Sequence, residues 1–136
     1  MPNKYGPKDE LPLERNMTMT VFVPKGYKGV FRFAKDAAWP QSICIYYEND
    51  GLQLAAKKFA NVSDGDKMDN WETPYNNAEL DKHYIISGWY YYDGTWHQSN
   101  FRSWNQPGDS ITIGFNDGGN DQDYNDIMTI FKLVKQ

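Results

Sequence analysis

The chain has 136 residues, a net charge of −4 at pH 7, 16% aromatic residues and a single cysteine, Cys44. This length indicates one domain, which at this size buries about 68% of the surface that its unfolded chain exposes and needs no disulfide. One cysteine excludes an intrachain disulfide, the lack of a basic stripe argues against nucleic-acid binding, and the lack of an apolar run of about 18 residues argues against membrane insertion.

The first fifteen residues contain three prolines and show no hydrophobic period. They are predicted to form an N-terminal arm on the surface of a β-sandwich domain that spans residues 16–136. No signal peptide is visible in this segment. The compartment therefore stays open between a cytoplasmic protein released by a non-classical route and an extracellular or cell-surface protein.

Short runs rich in β-branched and aromatic residues follow the arm and predict strands. The first two, at residues 17–23 and 30–33, are predicted to form a hairpin because turn-forming residues separate them. Further strands are predicted at residues 42–47, 52–59, 84–86, 89–92, 95–101, 110–115 and 127–134.

Two connections between these strands have a distinct character. Asp93–Gly94 predicts a tight hairpin turn. Residues 60–82 are polar and irregular, which predicts a long loop with one helical turn near residues 78–82. In total, about eight or nine short strands with frequent turns predict an all-β fold, an antiparallel β-sandwich.

The ten residues between the last two predicted strands, 117–126, hold four aspartates, two asparagines and two glycines. These aspartates account for the whole net charge, since the rest of the chain sums to zero (−4 + 4 = 0). Hard cations such as Ca²⁺ take about 6–8 oxygen ligands from carboxylates, amides and carbonyls. Five side chains in this loop offer such oxygens: Asp117, Asp121, Asp123, Asn125 and Asp126.

Charge and ligand type narrow the choice of metal. Two adjacent Ca²⁺ ions that share carboxylates would balance four negative charges. The loop contains no cysteine or histidine, which argues against zinc. Its spacing also differs from the EF-hand, which ends in a bidentate glutamate. The sequence therefore predicts a loop that binds two calcium ions.

The run Asp121-Gln-Asp-Tyr-Asn-Asp126, entered from one strand and followed by another, resembles the acidic loop of the bacterial two-calcium lectins that bind fucose and mannose. In that family the loop holds two close calcium ions, and hydroxyls of the sugar ligate both. The resemblance implies that Asp121, Asp123, Asn125 and Asp126 are calcium ligands. It also implies that Asp117 takes the place of a glutamate ligand.

The resemblance extends to both ends of the chain. In the family the terminal carboxylate, ten residues past the motif, reaches the calcium site of a partner subunit; here Gln136 stands ten residues after Asp126. This implies Gln136 as a further metal ligand and a homodimer or higher homo-oligomer. Counting forward from Val21–Pro24, which resembles the family's first strand, puts Asp36 on an asparagine ligand and Ala37, Ala38 and Trp39 on the loop that tunes sugar preference.

The sequence thus predicts a calcium-dependent, non-catalytic protein that binds saccharides or glycoconjugates. The residues predicted to contact the sugar are Asp36, Ala37, Ala38, Trp39, Asp121, Asp123 and Asp126. The alternative is a structural or adhesion module in which calcium only stabilises the loop. A calcium-assisted hydrolase is a weaker interpretation, because no general base stands out beyond the metal ligands.

Three tryptophans near the Asp93–Gly94 turn, Trp89, Trp96 and Trp104, are predicted to pack in the core, with an aromatic sugar platform as the alternative. His83 and His97 have no nucleophile in a recognisable motif and are predicted to occupy surface or strand positions.

Overall fold

A computed structural model describes residues 13–35, 41–48, 54–60, 69–92, 94–106, 110–116 and 127–136. In these ranges the chain forms one 3-10 turn, Arg15–Met17, and ten strands. The strands are β1 Met19–Val23, β2 Tyr27–Lys35, β3 Gln41–Tyr47, β4 Leu54–Ala60, β5 Trp71–Glu72, β6 Lys82–Tyr92, β7 Thr95–Gln98, β8 Phe101–Gln106, β9 Ser110–Phe115 and β10 Ile127–Lys135. The described residues include no helix with the length and hydropathy that crossing a membrane requires.

The strands form two antiparallel sheets. The first has the order β1-β6-β3-β4, and β7 also pairs with β6, beyond the end of β1. The second has the order β5-β2-β10-β9-β8, with β10 at its centre. The predicted all-β antiparallel sandwich is therefore confirmed.

The core lies between the two sheets, as the period-2 alternation of the strands requires. Each fully buried Ile or Phe side chain contributes about 1.5–3 kcal/mol to folding by leaving water. The core is filled by Val21, Val23, Phe31, Phe33, Ile43, Ile45, Tyr84, Ile86, Ile113, Phe115, Ile127 and Phe131. Gly88 lies so close to the Phe115 ring that an added Cβ atom would approach it to 2.3 Å. At this position, only glycine lets the two sheets meet around that ring.

A second buried cluster lies on the outer face of the first sheet, and we call it the outer cluster. It consists of Cys44, Tyr46, Ile85, Trp89 and Trp96, each at most 3% exposed, with Leu13 and Tyr91 packed against it. Cys44 is thus a small buried apolar residue, as its sequence context predicts.

The last part of the predicted arm lies beside the outer cluster. The Glu14 backbone N–H donates to Gln98 Oε1 at 2.8 Å, and Gln98 Nε2 donates to the Glu14 carbonyl at 3.0 Å. This pair of hydrogen bonds fixes residue 14 to β7. Residues 1–12 lie outside the described ranges.

Two strand predictions were wrong in their partners. β1 and β2 do not form a hairpin, because β1 pairs with β6 and β2 with β10 and β5 in the other sheet. The Gly26 N–H donates across this turn to the Asn76 carbonyl at 2.7 Å, which stabilises a crossing between layers. Residues 95–101 are not one strand either, because the chain changes sheet between β7 and β8.

The predicted long loop at 60–82 also needs correction. It contains β5, which pairs with β2 through Val30↔Glu72 and Phe31↔Trp71. Residues 78–82 form no helical turn, since Lys82 already begins β6. Residues 61–68 lie outside the described ranges.

Candidate functional site

One end of the second sheet brings together the attachment points of the two segments predicted to form the site. Lys35, the last residue of β2, pairs directly with Ile127, the first residue of β10. Ile127 pairs in turn with Phe115, the last residue of β9. Adjacent strands lie about 4.7–4.9 Å apart, so the chain leaves β2 and enters β10 at neighbouring points. We call this end of the sandwich, where residues 36 and 126 attach, the loop end.

Most of the predicted site residues lie outside the described residues. They are Asp36, Ala37, Ala38, Trp39, Asp117, Asp121, Asp123, Asn125 and Asp126. Their roles as calcium or sugar ligands therefore stay predictions. The described strands establish that the segments 36–40 and 117–126 both begin or end at the loop end.

Three buried polar side chains lie at the loop end, and the sequence analysis did not single them out. Gln41, Ser99 and Asn116 are 0%, 1% and 8% exposed. The Ser99 N–H donates to the Gly88 carbonyl at 2.8 Å, and the Asn116 N–H donates to the Asn100 carbonyl at 3.1 Å. These bonds fix the chain where it passes from β7 to β8 and where it leaves β9.

A sequence signal for Gln41 does exist. Gln41 shares the inward-facing phase of β3 with Ile43 and Ile45, which are both in the core. A polar residue in the apolar phase of a buried strand is costly unless it has a hydrogen-bond partner. The pattern Gln41-x-Ile43-x-Ile45 therefore marks Gln41 as a residue with a polar role.

Gln136 lies at the opposite end of β10. Lys135 pairs with Tyr27, and the Gln136 N–H donates to the Gly26 carbonyl at 2.8 Å. At about 3.4 Å per residue, β10 separates this point from Ile127 by roughly 27 Å. The predicted role of Gln136 as a metal ligand is therefore consistent only with a site on another copy of the chain.

A cleft of about 560 Å³ lies at the end of the sandwich opposite the loop end, and it is the rival location for a ligand. It is lined by Glu48, Glu79, Leu80, Asp81 and His83. His83 Nδ1 contacts Glu48 Oε2, and Lys25 Nζ pairs with Glu79 Oε1. The described residues, this cleft included, contain no group of three or more His, Cys, Asp or Glu side chains that could hold a metal ion.

The tryptophans divide between two environments. Trp89 and Trp96 are each 2% exposed in the outer cluster, as their predicted packing role requires. Trp104 lies in the second sheet and is 37% exposed, so it does not belong to the same cluster.

Searches with the sequence matched no protein-family model and no curated protein. Solved structures do match. The C-terminal domain of the BC2L-C lectin from Burkholderia cenocepacia aligns with a TM-score of 0.62 and 21% identity, over 86% of this chain and 95% of that domain. The fold is that of bacterial lectins.

Two further lectins support the same conclusion. A high-affinity mannose-binding lectin of Ralstonia solanacearum aligns with a TM-score of 0.60 and 19% identity, over 90% of this chain and 99% of its own. The lectin CV2L of Chromobacterium violaceum, solved in complex with α-methyl-fucoside, aligns with a TM-score of 0.59 and 17% identity, over 88% and 96%. The alignments span almost the whole lectin domain, so the likeness concerns the complete sandwich.

Proposed function

We propose that this protein is a calcium-dependent lectin that binds saccharides or glycoconjugates without catalysis. The observation that carries the proposal is the Lys35–Ile127 pairing. The sequence analysis selected the segments 36–39 and 117–126 separately, and their attachment points lie side by side at the loop end. A composite site made from both segments requires this arrangement.

The ligand chemistry of the two segments fits calcium. All the proposed ligands offer hard oxygen atoms, from Asp117, Asp121, Asp123, Asn125 and Asp126, with Asp36 as a further contributor. Gln41, buried at the same end, adds a side-chain amide whose two polar atoms have no hydrogen-bond partner. Such a group is expected near a polar ligand and not inside an apolar core.

Bound calcium would supply two adjacent positive centres for oxygen ligands. In the proposed site, Asp121 and Asp123 would bridge the two ions, and the remaining acidic-loop residues would complete their coordination. Vicinal hydroxyls of a sugar would then replace ordered water. The Asp36–Trp39 segment would contact the rest of the sugar ring and set the preference among sugars.

We propose fucose- and mannose-type sugars as the preferred ligands. The support is the printed description of two structural neighbours, one a mannose-binding lectin and one solved with α-methyl-fucoside. Trp39 introduces a large aromatic ring into the segment proposed to set this preference. A ring of this kind favours contact with the apolar face of a sugar.

Calorimetry on the intact chain tests the proposal. Titration with α-methyl-fucoside and with methyl mannoside should give binding in calcium, no binding in excess chelator, and full recovery when calcium is restored. Asp123→Asn should abolish the binding. Asp81→Asn, an exposed acid at the opposite end, is the matched control and should bind as the wild type does. Sugar binding that persists in chelator would exclude the proposed mechanism.

The same samples separate the lectin from the alternative structural module. A module in which calcium only stabilises the loop predicts a higher melting temperature in calcium and no further rise with any saccharide. A lectin predicts a second rise, because a ligand that binds only the folded state stabilises it.

We also propose that the protein forms a homodimer or a higher homo-oligomer. Support comes from the outer face of the second sheet, where Met128, Ile130 and Val134 point away from the core along the central strand. Ile130 is 36% exposed there. An apolar stripe in the middle of a sheet face is a common feature of subunit interfaces.

A further inference from the structure

The side chain of Gln41 is fully buried, yet neither of its polar atoms has a hydrogen-bond partner. Gln41 is 0% exposed, and both Nε2 and Oε1 lack a partner. A carboxamide has two donors and two acceptor lone pairs, so this is a large unmet capacity. Buried polar groups in folded proteins are nearly always paired, and each exception requires an explanation.

The position of Gln41 supplies that explanation. Gln41 is the first residue of β3 and therefore lies at the loop end, where its backbone pairs with Tyr90 of β6. It follows directly on the segment 36–40, which the proposed function makes part of the site. Its alternation with Ile43 and Ile45 directs the side chain into the space between the sheets.

We propose that Gln41 is a positioning residue of the cation site, whose buried carboxamide gains its hydrogen-bond partners when calcium binds. This inference rests on the proposed function. The unpaired amide raises the free energy of the calcium-free protein, and pairing it in the calcium-bound protein lowers the free energy of that state. Both effects increase calcium affinity without a direct bond between Gln41 and the metal.

A packing role for Gln41 predicts a different pattern. Leu or Met fills the same volume between two sheets without any unmet hydrogen bond, so packing alone gives no reason for an amide here. The two roles therefore differ in which state a change to an apolar side chain affects. A positioning role affects the calcium-bound state, and a packing role affects the calcium-free fold.

The experiment compares wild type with Gln41→Met, which keeps the side-chain length and removes the amide. Calcium alone is titrated into chelator-treated protein by calorimetry, and the melting temperature of the calcium-free protein is measured in parallel. We expect Gln41→Met to raise the Kd for calcium by about tenfold, the equivalent of one lost net hydrogen bond. The calcium-free melting temperature should stay the same or rise.

Gln98→Met is the matched control. Gln98 is a glutamine on β7 of the same sheet whose amide has both of its bonds, to the backbone of Glu14. We expect Gln98→Met to leave the Kd for calcium unchanged. Gln41→Asn retains the carboxamide on a shorter side chain and should recover part of the affinity that Gln41→Met loses.

Each outcome decides between the roles. An unchanged Kd in Gln41→Met, with wild-type calcium binding intact, would overturn the positioning role and leave the proposed function standing. A loss of affinity in Gln98→Met equal to that in Gln41→Met would overturn it too. Wild-type protein that binds no calcium would overturn the proposed function and, with it, the role of Gln41.

Discussion

Tyr46 links the stability of the fold to pH through a single hydroxyl. Its side chain is 3% exposed in the outer cluster, and its hydroxyl lies 3.4 Å from Ser87 Oγ. Burial is the main cause that raises the pKa of Tyr46 above its ordinary value of 10.0. The folded protein therefore keeps Tyr46 neutral at a pH where the unfolded chain releases the proton.

The sign of this effect gives a prediction. The contribution of Tyr46 is complete below about pH 10 and falls as the pH rises, because only the unfolded state gains charge. In Tyr46→Phe this alkaline loss disappears, while stability near pH 7 falls by about 1 kcal/mol or less with the weak Ser87 bond. Urea denaturation at pH 7 and pH 10.5 measures both. The same decrease between the two pH values in variant and wild type would contradict the assignment.

Between β5 and β6, the described residues that the sequence predicted to be an irregular loop are fixed by one side chain. Asn76 is 3% exposed. Its Nδ2 donates to the carbonyls of Val23 and Leu80, both at 2.9 Å, and its Oδ1 accepts from the Ala78 N–H at 2.9 Å. Its backbone N–H also donates to the Tyr27 carbonyl at 2.8 Å. The segment is therefore attached to the β1–β2 connection.

Asn76→Ala should destabilise the protein by roughly 2–3 kcal/mol. The substitution removes three hydrogen bonds and leaves buried backbone groups without partners. Asn77→Ala is the matched control, since Asn77 is exposed, and a surface substitution of this kind should stay within about 0.5 kcal/mol. Chemical denaturation of both variants measures the difference. Equal stability of the two variants would show that Asn76 does not fix this segment.

At the level of elements, the sequence predicted the strands better than their partners. Alternation identified β3, β9 and β10 nearly to their ends, because it reports which residues face a core. It does not report which sheet a strand joins. The crossings after β1 and after β7 depend on distant bonds, such as those from Gly26 to Asn76 and from Ser99 to Gly88. Bonds of this kind lie outside any local pattern.

For the whole molecule, composition predicted the chemistry of the candidate site and the fold supplied its arrangement. Four aspartates in ten residues indicate a cation on their own. That the segment after Lys35 lies beside the segment before Ile127 follows only from the pairing of β2 with β10. Gln41 shows the reverse limit, because its buried amide is a consequence of strand phase and could have been predicted from alternation.

The outer face of the second sheet governs the proposed self-association. Register places four outward residues in one row across the sheet: Trp104, Thr112, Ile130 and Arg32. A depression of about 340 Å³ adjoins this row. It is lined by Val30, Arg32, Ser110, Ile130, Lys132 and Val134. A two-fold axis near Ile130 would bury this apolar centre against the same face of a second copy.

Ile130→Glu should therefore convert the protein to a monomer, because an isologous interface would bring two unpaired carboxylates together at its centre. Size-exclusion chromatography with light scattering measures this directly, with wild type at a multiple of the mass of one chain and the variant at that mass. The matched control is Leu80→Glu, which changes an exposed leucine at the opposite end from the acidic loop and should leave the mass unchanged. If wild type is already monomeric at high concentration, or if Ile130→Glu keeps the wild-type mass, this face is not the subunit interface.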